Sequence, residues 1–176
     1  MKAFKYSYAF LLLVFVLPFT ACNDTEDGSF VAPITIYEKI QGNWTVTSVK
    51  QVDEIAKANS QTPSEMILTD QFNFSGFTIS LSVDESNQPT SYKVGGSAPK
   101  LFASEGYWDL VYPYPNTDGT ASTINLYSDA AKSKKTGTLD IMAIPGSTKV
   151  LELKLTRKTK GVPFTSYIYQ LAPVNK

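Results

Sequence analysis

Alternation of apolar and polar residues is the feature that most restricts the fold of this chain. From residue 40 onward, apolar side chains recur at every second position. This is the period of a β-strand and not the 3.6-residue period of a helix. In the segment 77–83, for example, Phe77, Ile79, Leu81 and Val83 alternate with threonine and serine. One face of each such strand is therefore apolar, as in a sheet that covers a core on one side.

Turn residues divide this pattern into eight candidate strands. Clusters of Gly, Pro, Asn and Asp separate them. The strands are predicted at 42–50, 71–83, 90–96, 105–112, 122–128, 137–144, 149–156 and 164–172. Only 51–70 has helical character, with Asp53 or Ser64 as the N-cap. Short turns between consecutive strands indicate an all-β, up-and-down antiparallel barrel, because closure removes exposed strand edges. A two-sheet β-sandwich is the alternative that periodicity leaves open.

The first residues have the pattern of a secretory signal. Lys2 and Lys5 precede a wholly apolar run at 9–17, and Pro18 and a polar segment follow it. The run is shorter than the roughly 20 apolar residues of a membrane span. We therefore expect residues 1–21 to be a signal peptide that is removed on export.

The only cysteine stands where this signal ends. Residues 19–22, Phe-Thr-Ala-Cys, resemble a bacterial lipobox, which predicts that Cys22 is acylated and holds the protein to a membrane. A free thiol is the alternative. Residues 22–36 then form an acidic, flexible tether, which resembles the surface-export signal of Bacteroides-type lipoproteins. The predicted location is the bacterial outer membrane, on its periplasmic or cell-surface side.

Composition excludes several classes of function. The chain has no histidine and one cysteine, so we predict neither a histidine-based catalytic triad nor a metal site, and no cofactor. Lys+Arg and Asp+Glu are both 16, so no basic field favours nucleic acid. Glu105 and Asp109 lie about 13 Å apart on one strand, farther than the roughly 5–9.5 Å of glycosidase carboxylates. We therefore do not expect an enzyme.

Two short motifs resemble the lipocalin family. Gly42-Asn43-Trp44 opens the first strand, and Gly106-Tyr107-Trp108-Asp109 lies farther along the chain. With the lipid signal and the strand count, the chain resembles lipocalin-like (calycin-type) lipoproteins of Bacteroides-type bacteria. The resemblance implies a barrel domain at 37–176, a short helical segment at 34–39, and Gly42 and Trp44 as the structural plug of the closed end. It implies no particular ligand.

The barrel topology predicts a positively charged rim. Alternate turns of an up-and-down barrel share an end, so the connections 51–70, 97–104, 129–136 and 157–163 lie together, with a net charge of +3. The opposite end carries −3. The candidate ligand rim consists of Lys132, Lys134, Lys135, Arg157, Lys158 and Lys160. Such a rim favours an anionic ligand, whereas the alternative is that these charges only keep the turns soluble.

Four aromatic residues form a second candidate surface. They are Tyr107, Trp108, Tyr112 and Tyr114. Exposed aromatic faces can stack on sugar rings. The alternative places Trp108 and Leu110 in the core and leaves the tyrosine hydroxyls in water.

These observations predict a lipid-anchored, non-catalytic binding protein of the cell envelope. Its ligand, a small hydrophobic, anionic, lipid or glycan molecule, is expected at the open end of the barrel. The alternative is an accessory or structural lipoprotein that docks a partner protein through its outer surface. A void open at the loop end favours the first function, and a barrel filled by side chains favours the second.

Overall fold

The computed structural model describes residues 32–118 and 120–174. Within these residues the chain forms nine strands and three short helices. The strands are β1 (Gly42–Asp53), β2 (Glu65–Ile67), β3 (Thr78–Val83), β4 (Pro89–Gly95), β5 (Glu105–Leu110), β6 (Ser122–Tyr127), β7 (Lys135–Ala143), β8 (Leu151–Thr159) and β9 (Val162–Pro173). The helices are α1 (Ile36–Ile40), α2 (Glu54–Ala58) and a 3-10 helix at Phe74–Gly76.

Eight of these strands form a closed antiparallel barrel. Strands β3 to β9 pair in sequence order, and β1 pairs with both β3 and β9. The closing pair runs from Trp44 opposite Pro173 to Asp53 opposite Thr165. Strand β2 is an addition that pairs only with the second half of β1. The predicted all-β, up-and-down barrel is therefore confirmed, and the two-sheet alternative is wrong.

The eight predicted strands correspond to β1 and β3–β9, with one large error of length. The strand predicted at 71–83 begins only at Thr78, because residues 74–76 form the 3-10 helix. Phe74 and Phe77 are both 2% exposed. Their spacing of three residues brings both into the core from a 3-10 turn, whereas strand alternation would place them on opposite faces.

The segment 51–70 contains one turn of helix and one short strand. Asp53 caps α2, accepting hydrogen bonds from the amides of Ile55 and Ala56. Ser64 caps no helix and instead precedes β2. All three residues of β2 are exposed. The strand was missed because a fully exposed segment shows no apolar alternation.

Helix α1 covers one end of the barrel, which we call the closed end. Thr35 and Glu38 form a capping box that begins the helix. At its last residue the carbonyl of Ile40 accepts a 2.7 Å hydrogen bond from Trp44 Nε1. Gly42 joins helix to strand with a φ of +117°, a conformation that favours glycine. The connection after β5 meets the same end, since the amide of Ile36 donates to the carbonyl of Pro113.

Four of the connections between strands lie at the opposite end, which we call the open end. They are residues 54–77, 96–104, 128–134 and 160–161. Contacts between Phe77 and Phe102, and between Arg157 and Leu101, show that connections distant in sequence meet here. Among the described residues, none of the helices has the length and apolar character needed to span a membrane.

Candidate functional site

The interior of the barrel is filled by large side chains. Alternate residues of every barrel strand point into one hydrophobic core. The largest of the fully buried side chains are Trp108, Tyr92 and Tyr169. Trp44 adds a fourth ring that is 4% exposed. A barrel of about eight strands is just wide enough to be filled in this way. A filled interior favours the alternative function, a protein that docks its partner through its outer surface.

The mouth of the barrel at the open end is covered by the loop 97–104. Ala98, Leu101 and Phe102 of this loop pack, partly buried, against the core. The ring centroids of Phe102 and Phe77 are 6.4 Å apart, in an edge arrangement. Arg157, across the mouth on β8, donates a hydrogen bond to the carbonyl of Leu101. The loop is thus held by apolar packing and by one charged donor.

Tyr169 lies in the core below this loop. Its ring centroid is 4.8 Å from that of Phe77, and the residue is 2% exposed. Within the described residues its hydroxyl has no hydrogen-bond partner. Burial raises the pKa of the Tyr169 hydroxyl well above its usual value, Tyr167 acts in the same direction, and Arg157 opposes both. A buried donor without a partner is costly, so it is a feature that needs an explanation.

The predicted rim is only partly a free positive surface. Lys134, Lys135, Lys158 and Lys160 are exposed at the open end. Lys132 instead folds back along the barrel wall, where its Nζ lies 2.8 Å from Asp109 Oδ2 and 3.0 Å from the carbonyl oxygen of Pro89. Lys132 therefore adds no free charge to the mouth, because its charge is paired with a carboxylate on the barrel wall.

Asp109 is the centre of a small network on this wall. Its other oxygen accepts a hydrogen bond of 3.1 Å from the hydroxyl of Tyr37 in α1. Burial, together with the charge of Asp109 and this bond, raises the pKa of Tyr37 from 10.0 to about 12. Asp109 therefore connects helix α1 to the turn that carries Lys132, which is a structural role.

The predicted aromatic surface separates into three parts. Trp108 is fully buried, and its Nε1 donates a 2.8 Å hydrogen bond to the carbonyl of Ser82. Tyr107, on the opposite face of β5, is half-buried. Tyr112 and Tyr114 are 63% and 43% exposed beyond the end of the strand. The four residues do not form one surface, because strand alternation turns neighbouring side chains apart and the core takes Trp108.

Tyr112 and Tyr114 line a depression that we call the closed-end groove. Its volume is about 500 Å³. Its lining consists of Tyr112, Pro113, Tyr114, Pro115, Asn116, Thr117, Asp118 and Thr120. A second depression of about 400 Å³ adjoins it, shares three of these residues and extends to the end of β7. Together they form an open, largely uncharged surface.

Hydrogen bonds inside the loop hold the closed-end groove in shape. Asn116 Nδ2 donates to the carbonyl and to the hydroxyl of Thr120, at 3.2 and 2.9 Å. Asp118 Oδ1 accepts from the hydroxyl and the amide of Thr120, at 2.7 and 2.9 Å. These bonds lower the pKa of Asp118, the hydroxyl contributing most. These bonds brace the loop at Asn116, Asp118 and Thr120, and Tyr112 and Tyr114 precede this braced part.

One polar cluster was missed by sequence reasoning. Glu54 of α2 lies 2.7 Å from Lys154 Nζ, and its carboxylate accepts a 2.5 Å hydrogen bond from Ser166. Lys154, and secondly Ser166, lower the pKa of Glu54. More than 100 residues separate Glu54 from Ser166, and no local pattern signals such a contact. The cluster fastens α2 to the outer wall.

Comparison with known families places the chain. A family model described as "Domain of unknown function (DUF5004)" matches residues 19–172. The chain belongs to the DUF5004 family. Comparison with curated proteins and with solved structures gave no match. The family match and the closed eight-stranded barrel fit a lipocalin-like fold.

Three predicted features of the N-terminal segment lie wholly or mostly outside the described residues. Cys22 and the signal peptide lie outside the described residues, as does most of the tether.

In residues 32–118 and 120–174 no group of three or more His, Cys, Asp or Glu side chains is placed to hold a metal ion.

Proposed function

We propose that this protein is a lipid-anchored, non-catalytic module of the bacterial cell envelope that docks a partner protein through its outer surface. The observation that carries this proposal is the filled barrel. Tyr92, Trp108 and Tyr169 occupy the space in which a hollow barrel of this size would hold a ligand. Binding then takes place on the outside.

The anchor is proposed from the sequence. Cys22 follows an apolar signal at the position of lipidation, and about fourteen residues of tether separate it from α1. Several acyl chains bind a membrane far more durably than one, because each buried methylene contributes about 0.8 kcal/mol. We propose on this basis that the protein is a lipoprotein similar to those of Bacteroides-type bacteria. Intact mass spectrometry of the protein from its own host should find the acyl chains on Cys22, and Cys22→Ser should release it from the membrane fraction.

The closed-end groove is the surface proposed for docking. Tyrosine and methionine are enriched in protein interfaces, and charged residues are depleted in their cores. The groove has Tyr112 and Tyr114 exposed, and Met142 in the adjoining depression is 48% exposed. Asp118 is the only charged residue among the lining of both depressions. The braced loop loses little conformational entropy on binding, which favours affinity.

Site-specific photocrosslinking in the host tests this surface. A photoreactive phenylalanine analogue replaces Tyr112 or Tyr114 in the full chain, and Phe164 serves as the control. Phe164 is an aromatic residue at the open end that is 39% exposed. We expect one adduct of defined mass from the two groove positions and none from Phe164.

Substitution then separates docking from chance proximity. Tyr112→Ala and Tyr114→Ala should each remove the partner from the native complex, as measured by native mass spectrometry, while the melting temperature stays the same. Equal crosslinking from Phe164, or a complex that survives both substitutions, contradicts docking at the groove.

Small-ligand binding at the open end is the second candidate function. One specific observation favours it: the buried hydroxyl of Tyr169, below the loop 97–104, has no hydrogen-bond partner in residues 32–118 and 120–174. The exposed lysines around the mouth would attract an anion.

A further inference from the structure

We infer that the mouth of the barrel contains a carboxylate site formed by Arg157, Tyr167 and Tyr169, and that the hydrogen bond from Arg157 to the loop 97–104 is the latch that covers it. The inference does not depend on docking at the closed-end groove. It names a ligand class, a small organic carboxylate, and the residues that would hold it.

Tyr169 carries a donor that is not satisfied. Its hydroxyl is buried in the core with no partner among the described residues. Leaving such a group without a partner destabilises the folded protein, whereas phenylalanine would fill the same space without this cost. A ligand oxygen that accepts from the hydroxyl would remove the cost.

Arg157 supplies a positive charge at the same place. It continues the inner face of β8 two residues beyond Leu155, which pairs with Tyr167 in β9. Its guanidinium has five donors, and the partner found for it is the neutral carbonyl of Leu101. Arg157 belongs to none of the ion pairs found in residues 32–118 and 120–174. A carboxylate would replace a neutral acceptor with a charged one, and it can accept two parallel bonds from the guanidinium, which a single carbonyl oxygen cannot do in the same geometry.

Tyr167 supplies a third donor. It is partly buried against the same core and lies two residues before Tyr169, on the same face of β9. Phe77 supplies an apolar ring next to Tyr169, and Phe102 packs against Phe77. An arginine and two phenols with an aromatic wall suit a carboxylate that carries an apolar group. Because the core below the mouth is filled, that group would have to lie at the mouth, against the loop 97–104.

The loop 97–104 would have to move for a carboxylate to reach Arg157. Residues 97–104 contain neither helix nor strand. Both ends of the loop are held: Val94 donates a 2.6 Å hydrogen bond to the carbonyl of Ser104, and Gly96 lies against Gly76. A Cβ on residue 96 would be 1.7 Å from the Gly76 oxygen. Between these fixed ends, three partly buried side chains and the Arg157 bond keep the loop closed. When a carboxylate takes Arg157, the latch on Leu101 is released.

A titration of the full chain with sodium octanoate, followed by NMR, tests the site. Octanoate should shift the ring signals of Tyr167 and Tyr169, and 1-octanol, which has the same alkyl chain without the charge, should not. Amide hydrogen exchange in 97–104 should become faster in the octanoate complex, because Leu101 loses its donor. An equal response to octanol, or octanoate binding that leaves the Tyr169 ring and the loop amides unchanged, overturns the inference.

Three variants identify the residues. Arg157→Gln should weaken octanoate binding at least about tenfold, while Lys39→Gln, which removes the same charge at the closed end, should change it less than about twofold. Tyr169→Phe should weaken binding several-fold and leave the melting temperature unchanged or higher, because the lost hydroxyl has no partner among the described residues. Octanoate affinity that is unchanged in Tyr169→Phe also overturns the inference. Tyr112→Ala, which tests docking, should not alter octanoate affinity, so the two proposals can fail separately.

Discussion

Replacing Trp44 with phenylalanine tests how helix α1 is attached to the barrel. The indole Nε1 donates a 2.7 Å bond to the carbonyl of Ile40, where α1 ends, and Trp44 is 4% exposed. Trp44→Phe keeps an aromatic ring but leaves that buried carbonyl without its donor, at a cost of about 1–3 kcal/mol. The smaller ring also leaves a cavity worth about 1 kcal/mol. The free energy of unfolding should therefore fall by about 2–4 kcal/mol.

Urea unfolding of the full chain, followed by circular dichroism, measures this loss. For a chain of this size it corresponds to a fall in melting temperature of roughly 4–16 °C. Amides of α1 should exchange faster with solvent in the variant, because the helix loses its attachment. Tyr112→Phe, an aromatic change at a residue that is 63% exposed, is the control and should change the free energy by less than about 0.5 kcal/mol. A loss below about 0.5 kcal/mol in Trp44→Phe would refute the role assigned to the indole.

Three further predictions concern backbone conformation, pH and charge. Gly42→Ala should cost about 1–3 kcal/mol in thermal unfolding, because φ is +117°. Gly137→Ala is the control and should cost less. A Cβ at Gly137 likewise meets nothing within 4 Å, but the φ of Gly137 lies outside the range that favours glycine. The folded state raises the pKa of Tyr37 from 10.0 to about 12, so this contribution to stability is complete below pH 10 and is lost as pH rises toward 12. Tyr37→Phe should therefore flatten the dependence of the melting temperature on pH in that window, and an unchanged slope would contradict the assignment. Lys132→Gln should lower the free energy of unfolding by about 0–1 kcal/mol, and less in 1 M NaCl. The same variant should leave octanoate affinity as it is, since Lys132 pairs with Asp109 away from the mouth.

The strands were predictable because each carries its own signal. Alternation in a segment such as 151–155 states which side chains face inward, and the structure buries Leu151, Leu153 and Leu155. Asp53 as the cap of α2 is equally local, since a carboxylate that accepts from the amides two and three residues later needs only a few residues of sequence. Strand β2 carries no such signal, because its three residues are exposed and β1 alone holds it.

The candidate site was less predictable, because side chains from distant segments compose it. Sequence placed Lys132 on the rim, but the barrel wall offers it a carboxylate 23 residues away in sequence. Sequence grouped Trp108 with Tyr112, yet the core required the indole. Arg157 was assigned to the rim by topology, and only the folded chain shows that it crosses the mouth to Leu101.

The order of strands along the chain, with short turns between them, determined the barrel, since an apolar face on each strand is buried when the sheet closes on itself. Tertiary structure alone decided that the barrel is filled. The volume left inside depends on how the rings of Tyr92, Trp108 and Tyr169 pack across strands that lie far apart in sequence. Packing at that density is a property of many side chains at once, so it cannot be read from the alternation that built the wall.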